Sequence, residues 1–484
     1  MYVTPIGLLL IPLSVAIFSY GPAYLGPWAI LVSAFQAASV LNIEGGFPIG
    51  VTPYFFVLML IAIRFVPRWL SGKFSFPHSD VALGITQPLL LLTVWALLSA
   101  FLMPWLFAGI GVNTPRAGMD LPQTTPLQWT MSNAAQAGYA LLNAIFVIHL
   151  VWYGRTRGYF ERITLAFIAS GLVAVAIGAY QYLAHDYGLP YPVDFFNSNP
   201  GWRQLVSEEL SGVWRLSATF SEPSVAGAFF SVWTTLMLYI TASPGGGWAW
   251  PLFAMGAAMI FLTTSTTGYL IGGLVITLFV WNEFARILTT RKVSARGLSM
   301  LLLITAGVVV AVFIPNFHDL LTKIIWHKTE SQSSRDRATT VWEALRITVE
   351  TYGLGVGLGS NRPSGMLFYI ASNLGVPGVI VFVWLIWAVY RTVVAALRLD
   401  LRFDRATVYL GAIGWATAIE LIAMAGSGGD MTGSLLWVCL GVAATGARAT
   451  WLRSQEVPEP IELPESCVIK APALIILREE YGIS

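Results

Sequence analysis

The chain has 484 residues, 56% of them hydrophobic and 11% charged, with a mean hydropathy of +0.69. Soluble domains carry about 25% charged residues, so the composition excludes an ordinary soluble globule and points to an integral membrane protein. The net charge of +2 supplies no argument for nucleic-acid binding, and 19 Trp and 18 Tyr suit the aromatic belts of a bilayer.

A membrane-spanning helix needs roughly 20 mostly apolar residues. Such stretches fall at about 4–20, 23–41, 51–67, 81–106, 131–153, 163–184, 223–241, 250–265, 267–284, 298–315, 366–390, 406–425 and 432–450. The expected fold is therefore an all-α polytopic membrane protein with about 12–13 transmembrane helices. Residues 1–452 form its membrane domain and 453–484 a tail that begins with a Pro/Glu linker. The first stretch lacks a basic n-region and a small-residue cleavage site, so it reads as a retained span. Pro22 and Gly26 leave residues 4–41 open as two spans or a re-entrant pair.

Basic residues give the orientation. One set of connections holds Arg64, Arg68 and Lys73; Arg155, Arg157 and Arg162; Arg286, Arg291, Lys292 and Arg296; and Arg391, Arg398, Arg402 and Arg405. Arg448, Arg453, Lys470 and Arg478 follow, whereas the opposite short loops hold only Arg116. By the positive-inside rule the first set and the C-terminus are cytoplasmic. Two long loops, 185–221 and 316–365, then lie on the other side. Loops of that length are commonly functional, and Trp202, Trp214, Trp326 and Trp342 argue against disorder in them.

The second loop carries the densest polar chemistry, in the stretch SSRDRATTVWEALRITVETYGLGVGLGSNRPSG. Val341, Leu345 and Val349 recur at four-residue spacing and predict a helix with an apolar face. Ser333 or Ser334 is placed to cap its N-terminus. Arg335 and Arg337 then stand in the first turn, where cations oppose the helix dipole unless an anion is bound. Arg346 has Glu343 and Glu350 at helical spacing and is expected to pair with one of them. Alternate glycines from Gly353 to Gly359 predict a bend whose N–H groups can approach a ligand, with Asn361 and Arg362 directly after. Ser334, Gly357, Gly359, Ser360, Asn361 and Arg362 are thus candidates for binding, and Arg335 and Arg337 for gripping a multiply charged anion.

The first loop ends in VWRLSATFSEPSVAGAFF. Arg215 stands among apolar and hydroxyl residues with no acid adjacent except Glu222. Glu222 precedes Pro223, an N1 residue of the next span. It is either a charge stabilised by the helix dipole or a general base facing the site. The turn TTSTTG (263–268) lies on the same side; its hydroxyls could contact phosphate or sugar, but the commoner use of such residues, and the one expected here, is to satisfy helix ends. His185, His318 and His327 have no metal-binding spacing, and Cys439 and Cys467 make no thiol site, so no metal or other cofactor is expected.

The segments RLSATFSEPS and SSRDR…W…GLGVGLGSNRPSG, the latter followed by YIASNLGVPGVIVFV, resemble the superfamily of O-antigen ligases and Wzy-type polysaccharide polymerases. The resemblance extends over residues 160–425 by layout and about 50 positions by motif. It implies a multi-pass glycosyltransferase of the bacterial inner membrane that acts at the periplasmic face. The donor would be an undecaprenyl-diphosphate-linked glycan and the acceptor a glycan, with neither metal nor nucleotide sugar. Arg215 and either Arg335 or Arg337 would engage the diphosphate. For such a transfer Glu222 is the expected base, and Asp336, flanked by Arg335 and Arg337, the weaker candidate. The ligase branch carries a histidine near the glycine turn, where this chain reads SNRPSG. That form is similar to the exopolysaccharide-polymerase branch, which can work with a chain-length co-polymerase. The competing expectations are a ligase that uses lipid A-core as acceptor and, in another class, a lipid or polysaccharide transporter. Spans nearly free of ionisable residues, Glu420 being a rare exception, speak against the transporter.

Overall fold

The computed structural model describes residues 1–43, 49–72, 76, 80–113, 124–202, 204–206, 208–210, 213–290, 305, 332–399, 404–426, 431 and 433–455. The expected span at 298–315, the loop residues Arg116, Trp326, His318 and His327, and the tail from 456 lie outside them.

Before the two large loops the chain forms α1 (Pro5–Tyr20), α2 (Pro22–Val32), α3 (Pro53–Leu70), α4 (Val81–Leu106), α5 (Met131–Tyr153) and α6 (Tyr159–Tyr187). After the first loop come α8 (Pro223–Ala242), α9 (Trp250–Leu262) and α10 (Thr266–Thr290), with the four-residue α7 (Val193–Phe196) inside that loop. The second loop contributes α11 (Gln332–Glu350), followed by α12 (Met366–Leu399), α13 (Arg405–Gly426) and α14 (Ser434–Gln455). Local chemistry explains the starts. Pro5, Pro22, Pro53 and Pro223 occupy first-turn positions that need no N–H. Thr4, Thr52 and Asp80 cap α1, α3 and α4 by accepting from Gly7, Phe55 and Ala82.

Nine of the described helices are long and apolar enough to cross a membrane: α3, α4, α5, α6, α8, α10, α12, α13 and α14. The protein is an all-α polytopic membrane protein. Burial separates inner helices from outer ones, with 83% of the apolar window of α8 and 78% of that of α14 enclosed, against 28% for α12. Trp233 and Trp437 fill the centre. Ile380, Val383, Trp384 and Trp387 line the outward face of α12, as suits contact with lipid chains.

Two expected spans are interrupted. The stretch 23–41 is helical only to Val32, after which Ala34, Ala37, Ala38 and Val40 continue in irregular, fully buried backbone. Such backbone is tolerated at membrane depth where protein satisfies it. Here the Ala37 N–H donates to the Thr219 carbonyl (3.0 Å) and the Thr219 hydroxyl donates to the Ala34 carbonyl (2.5 Å). The chain then enters an antiparallel ribbon of β1 (Tyr2–Val3), β2 (Leu41–Ile43) and β3 (Ile49–Val51). Helix α12 breaks at Gly375 (φ 67°, ψ −169°), just before Pro377. At 13 residues, α9 ends at Leu262, before the expected limit at 265, and even with the 3-10 turn Gly246–Ala249 it is shorter than the roughly 20 residues of a full span.

The helices alternate in direction. Arg64 and Arg68, Arg155, and Arg448 therefore share one end, the basic end. The starts of α8, α10 and α12 and the ends of α9 and α13 share the other, the loop end. Arg448 is not a solvated anchor: its guanidinium is buried against Asp80 (2.5 Å) and donates to the Val151 and Trp152 carbonyls.

Candidate functional site

Arg215 follows the short hairpin of β6 (Glu209–Leu210) and β7 (Val213–Trp214). Its side chain is 10% exposed, and Nη1 pairs with Glu208 Oε1 at 2.9 Å. The sequence places no acid next to Arg215 except Glu222. The hairpin instead folds the strand back so that the Arg215 N–H meets the Glu208 carbonyl, bringing Glu208 alongside. Nε of Arg215 is buried with no partner among the described residues.

The next residues anchor this arginine from three sides. The Leu216 N–H donates to the Leu262 carbonyl at the end of α9 (3.1 Å). Gln181 of α6 accepts from the Ala218 N–H (2.7 Å) and donates to Ser217 Oγ (3.2 Å). Thr219 holds the irregular segment after α2, as above. Ala218 takes φ +51°, a left-handed conformation that costs a non-glycine residue on the order of 1–3 kcal/mol. Gln181, an isolated amide in an apolar span, was not singled out from the sequence. A buried polar group that demands a partner was the available signal.

Glu222 is the N-cap residue of α8 with Pro223 after it, as the sequence predicts. Its side chain does not cap the helix; Oε1 accepts from the Ser224 hydroxyl. The residue is half-buried. One turn further, Gly227 packs on the α9–α10 turn, where a Cβ would stand 3.0 Å from the Ser265 side chain. Arg215, Glu222 and residues 263–265 are thus gathered at the loop end.

Helix α11 brings the second set of candidates. It already includes Gln332, Ser333 and Ser334, so neither serine is the N-cap, and Arg335 stands a turn inside. The apolar repeat that specifies the helix extends its propensity back through these serines. Arg335 is exposed, Asp336 and Arg337 are half-buried, and Arg337 Nη1 donates to the Gly426 carbonyl at the end of α13 (3.3 Å). Because α13 packs against α8, Arg337 reaches the same end of the bundle as Glu222. Arg346 pairs with both Glu343 and Glu350 at 2.7 Å, where one partner was expected. The stripe Trp342, Leu345, Val349 and Tyr352 faces outward, and Ala344 and Ile347 are the buried side.

The glycine bend is a packing device, with its N–H groups turned inward. Gly353, Gly355, Gly357 and Gly359 all have positive φ. The Gly355 N–H meets Thr351 Oγ1, those of Val356 and Gly357 meet the Ser372 and Asn373 carbonyls, and that of Leu358 meets Ser99 Oγ. Asn373 Oδ1 accepts from the Ser360 and Asn361 N–H groups. Ser360 and Asn361 are buried, so the expected ligand cradle of Gly357, Gly359, Ser360 and Asn361 faces protein. Arg362 alone of that group is exposed, with its N–H on the Asn113 carbonyl. His185 stacks on Trp214 at 4.5 Å, a packing role.

The site elements therefore belong to a multi-pass membrane protein whose buried arginine, carboxylate and loop helix converge at one end of the bundle. No protein-family model matches the chain, and no curated protein matches it.

Proposed function

We propose that the protein is a membrane glycosyltransferase that polymerises glycan. It would transfer an undecaprenyl-diphosphate-linked oligosaccharide to a sugar hydroxyl at the periplasmic face of a bacterial inner membrane. The observation that carries this reading is Arg215, a buried cation whose Nε has no partner among the described residues, at the same end of the bundle as the helix-entry carboxylate Glu222 and Arg337 of α11. In this reading an acceptor hydroxyl attacks the anomeric carbon, the bond from that carbon to the diphosphate oxygen breaks, and undecaprenyl diphosphate leaves with its electron pair. Arg215 and Arg337 stabilise the charge developing on it, usually the largest catalytic term. Glu222, with Oε1 held by Ser224, takes the acceptor proton on Oε2. A single displacement inverts the anomeric centre.

Purified protein in liposomes, given the lipid-linked repeat and EDTA, should yield a ladder of products. Arg215→Ala and Arg337→Ala should each slow elongation by roughly a hundredfold or more. Unchanged rates in either variant would remove the diphosphate clamp. Transfer only to lipid A-core would instead identify a ligase. A transporter reading draws on the interrupted helices at Val32 and Gly375; movement of lipid without new glycosidic bonds would establish it.

A further inference from the structure

The turn between α9 and α10 holds a hydroxyl that packing does not use. Thr263 Oγ1 donates to the Ile260 carbonyl (2.7 Å) and Ser265 Oγ accepts from the Gly268 N–H (3.4 Å), as helix-end residues do. Thr264, between them, is 5% exposed, and its Oγ1 has no partner among the described residues. A buried hydroxyl normally finds one. The residue also takes φ +44°, where a β-branched side chain is a genuine outlier. Glycine or asparagine would hold the same turn with less strain.

Its surroundings say what the hydroxyl serves. The Thr264 N–H meets the Phe261 carbonyl, and the next carbonyl, that of Leu262, receives the Leu216 N–H, the residue following Arg215. Thr263 and Ser265 pack on Gly227, one turn below Glu222. Two buried donors, Arg215 Nε and Thr264 Oγ1, therefore lie on adjoining backbone segments, both without partners among the described residues. A cation beside a hydroxyl donor suits a phosphate oxygen, because each N–H or O–H adds a bond that the charge strengthens.

We propose that Thr264 is a ligand-binding residue whose hydroxyl, together with Arg215, holds a phosphate oxygen of the donor diphosphate. This rests on the glycosyltransferase reading above, and the test separates the two. Thr264→Val keeps the shape and removes the hydroxyl; it should lower kcat/KM for the lipid-linked repeat by about 10- to 100-fold. Thr264→Ser should recover most of that loss. Thr264→Gly relieves the positive φ, so a raised melting temperature with lost activity separates function from turn geometry. Inorganic diphosphate, used as a competitor and in direct calorimetric titration, should bind correspondingly more weakly to the Val and Gly variants. Wild-type activity and diphosphate affinity in both variants, with Arg215→Ala impaired, would overturn the role of Thr264 alone. Undiminished transfer in Arg215→Ala would overturn the underlying reading. If no transfer is detected, the diphosphate titration of the Val and Gly variants still decides the site.

Discussion

At the scale of single residues, buried charges separate into those that are paired and those left with open valences. Arg448 belongs to the first kind. It satisfies Asp80 and two carbonyls of α5, and its guanidinium lies over the Phe76 ring at 5.0 Å. Removing one member strands a buried charge, which typically costs about 3–5 kcal/mol. Arg448→Ala should therefore melt far below the parent in detergent, while the double variant Asp80→Asn with Arg448→Met should recover part of the loss. Arg215 belongs to the second kind: its carboxylate partner, Glu208, is 34% exposed, and Nε has no partner among the described residues. The contrast marks Arg215 as a candidate site residue and Arg448 as a staple, although both are arginines beside apolar spans.

At the scale of elements, two helices are broken, and each break is satisfied by a distant segment. Irregular backbone after α2 is satisfied by Thr219, four residues beyond Arg215, and the break in α12 is filled by the glycine bend. A Cβ at Gly355 would stand 2.7 Å from Asn373 backbone atoms, and one at Gly357 would stand 2.6 Å from the Ser99 carbonyl oxygen. Neither backbone atom can yield cheaply, and both glycines have positive φ. Gly357→Ala should thus reduce the yield of folded protein and lower its melting temperature by several degrees. Gly273→Ala, in an open stretch of α10, should leave both unchanged. Equal behaviour of the two variants would show that the bend does not depend on close packing.

At the scale of the whole molecule, helix direction and charge make a claim about sidedness. Thr156 is exposed at the basic end and Asp186 at the loop end. In a Cys467→Ser background, Asp186→Cys should react with a membrane-impermeant maleimide in intact cells. Thr156→Cys should react only after permeabilisation; the reverse pattern would invert the protein and place the proposed chemistry in the cytoplasm.

The sequence by itself determined the class. Apolar runs long enough to cross a bilayer bury all their backbone hydrogen bonds locally, so span positions such as 81–106 and 131–153 needed no tertiary information. The N1 proline after Glu222, the pairing of Arg346 and the helix around Val341 were legible for the same reason, being governed by neighbours within a turn or two. Contacts between distant segments were not legible. Only tertiary structure decided that Glu208 pairs with Arg215, that the glycine bend feeds its N–H groups to Asn373 and Ser99, and that α2 ends at Val32 to meet Thr219. The same holds for Thr264. Its residue type suggests a helix-end hydroxyl, and only its φ and its unspent bond, fixed by packing against α8 and the Arg215 segment, distinguish it from Thr263 and Ser265.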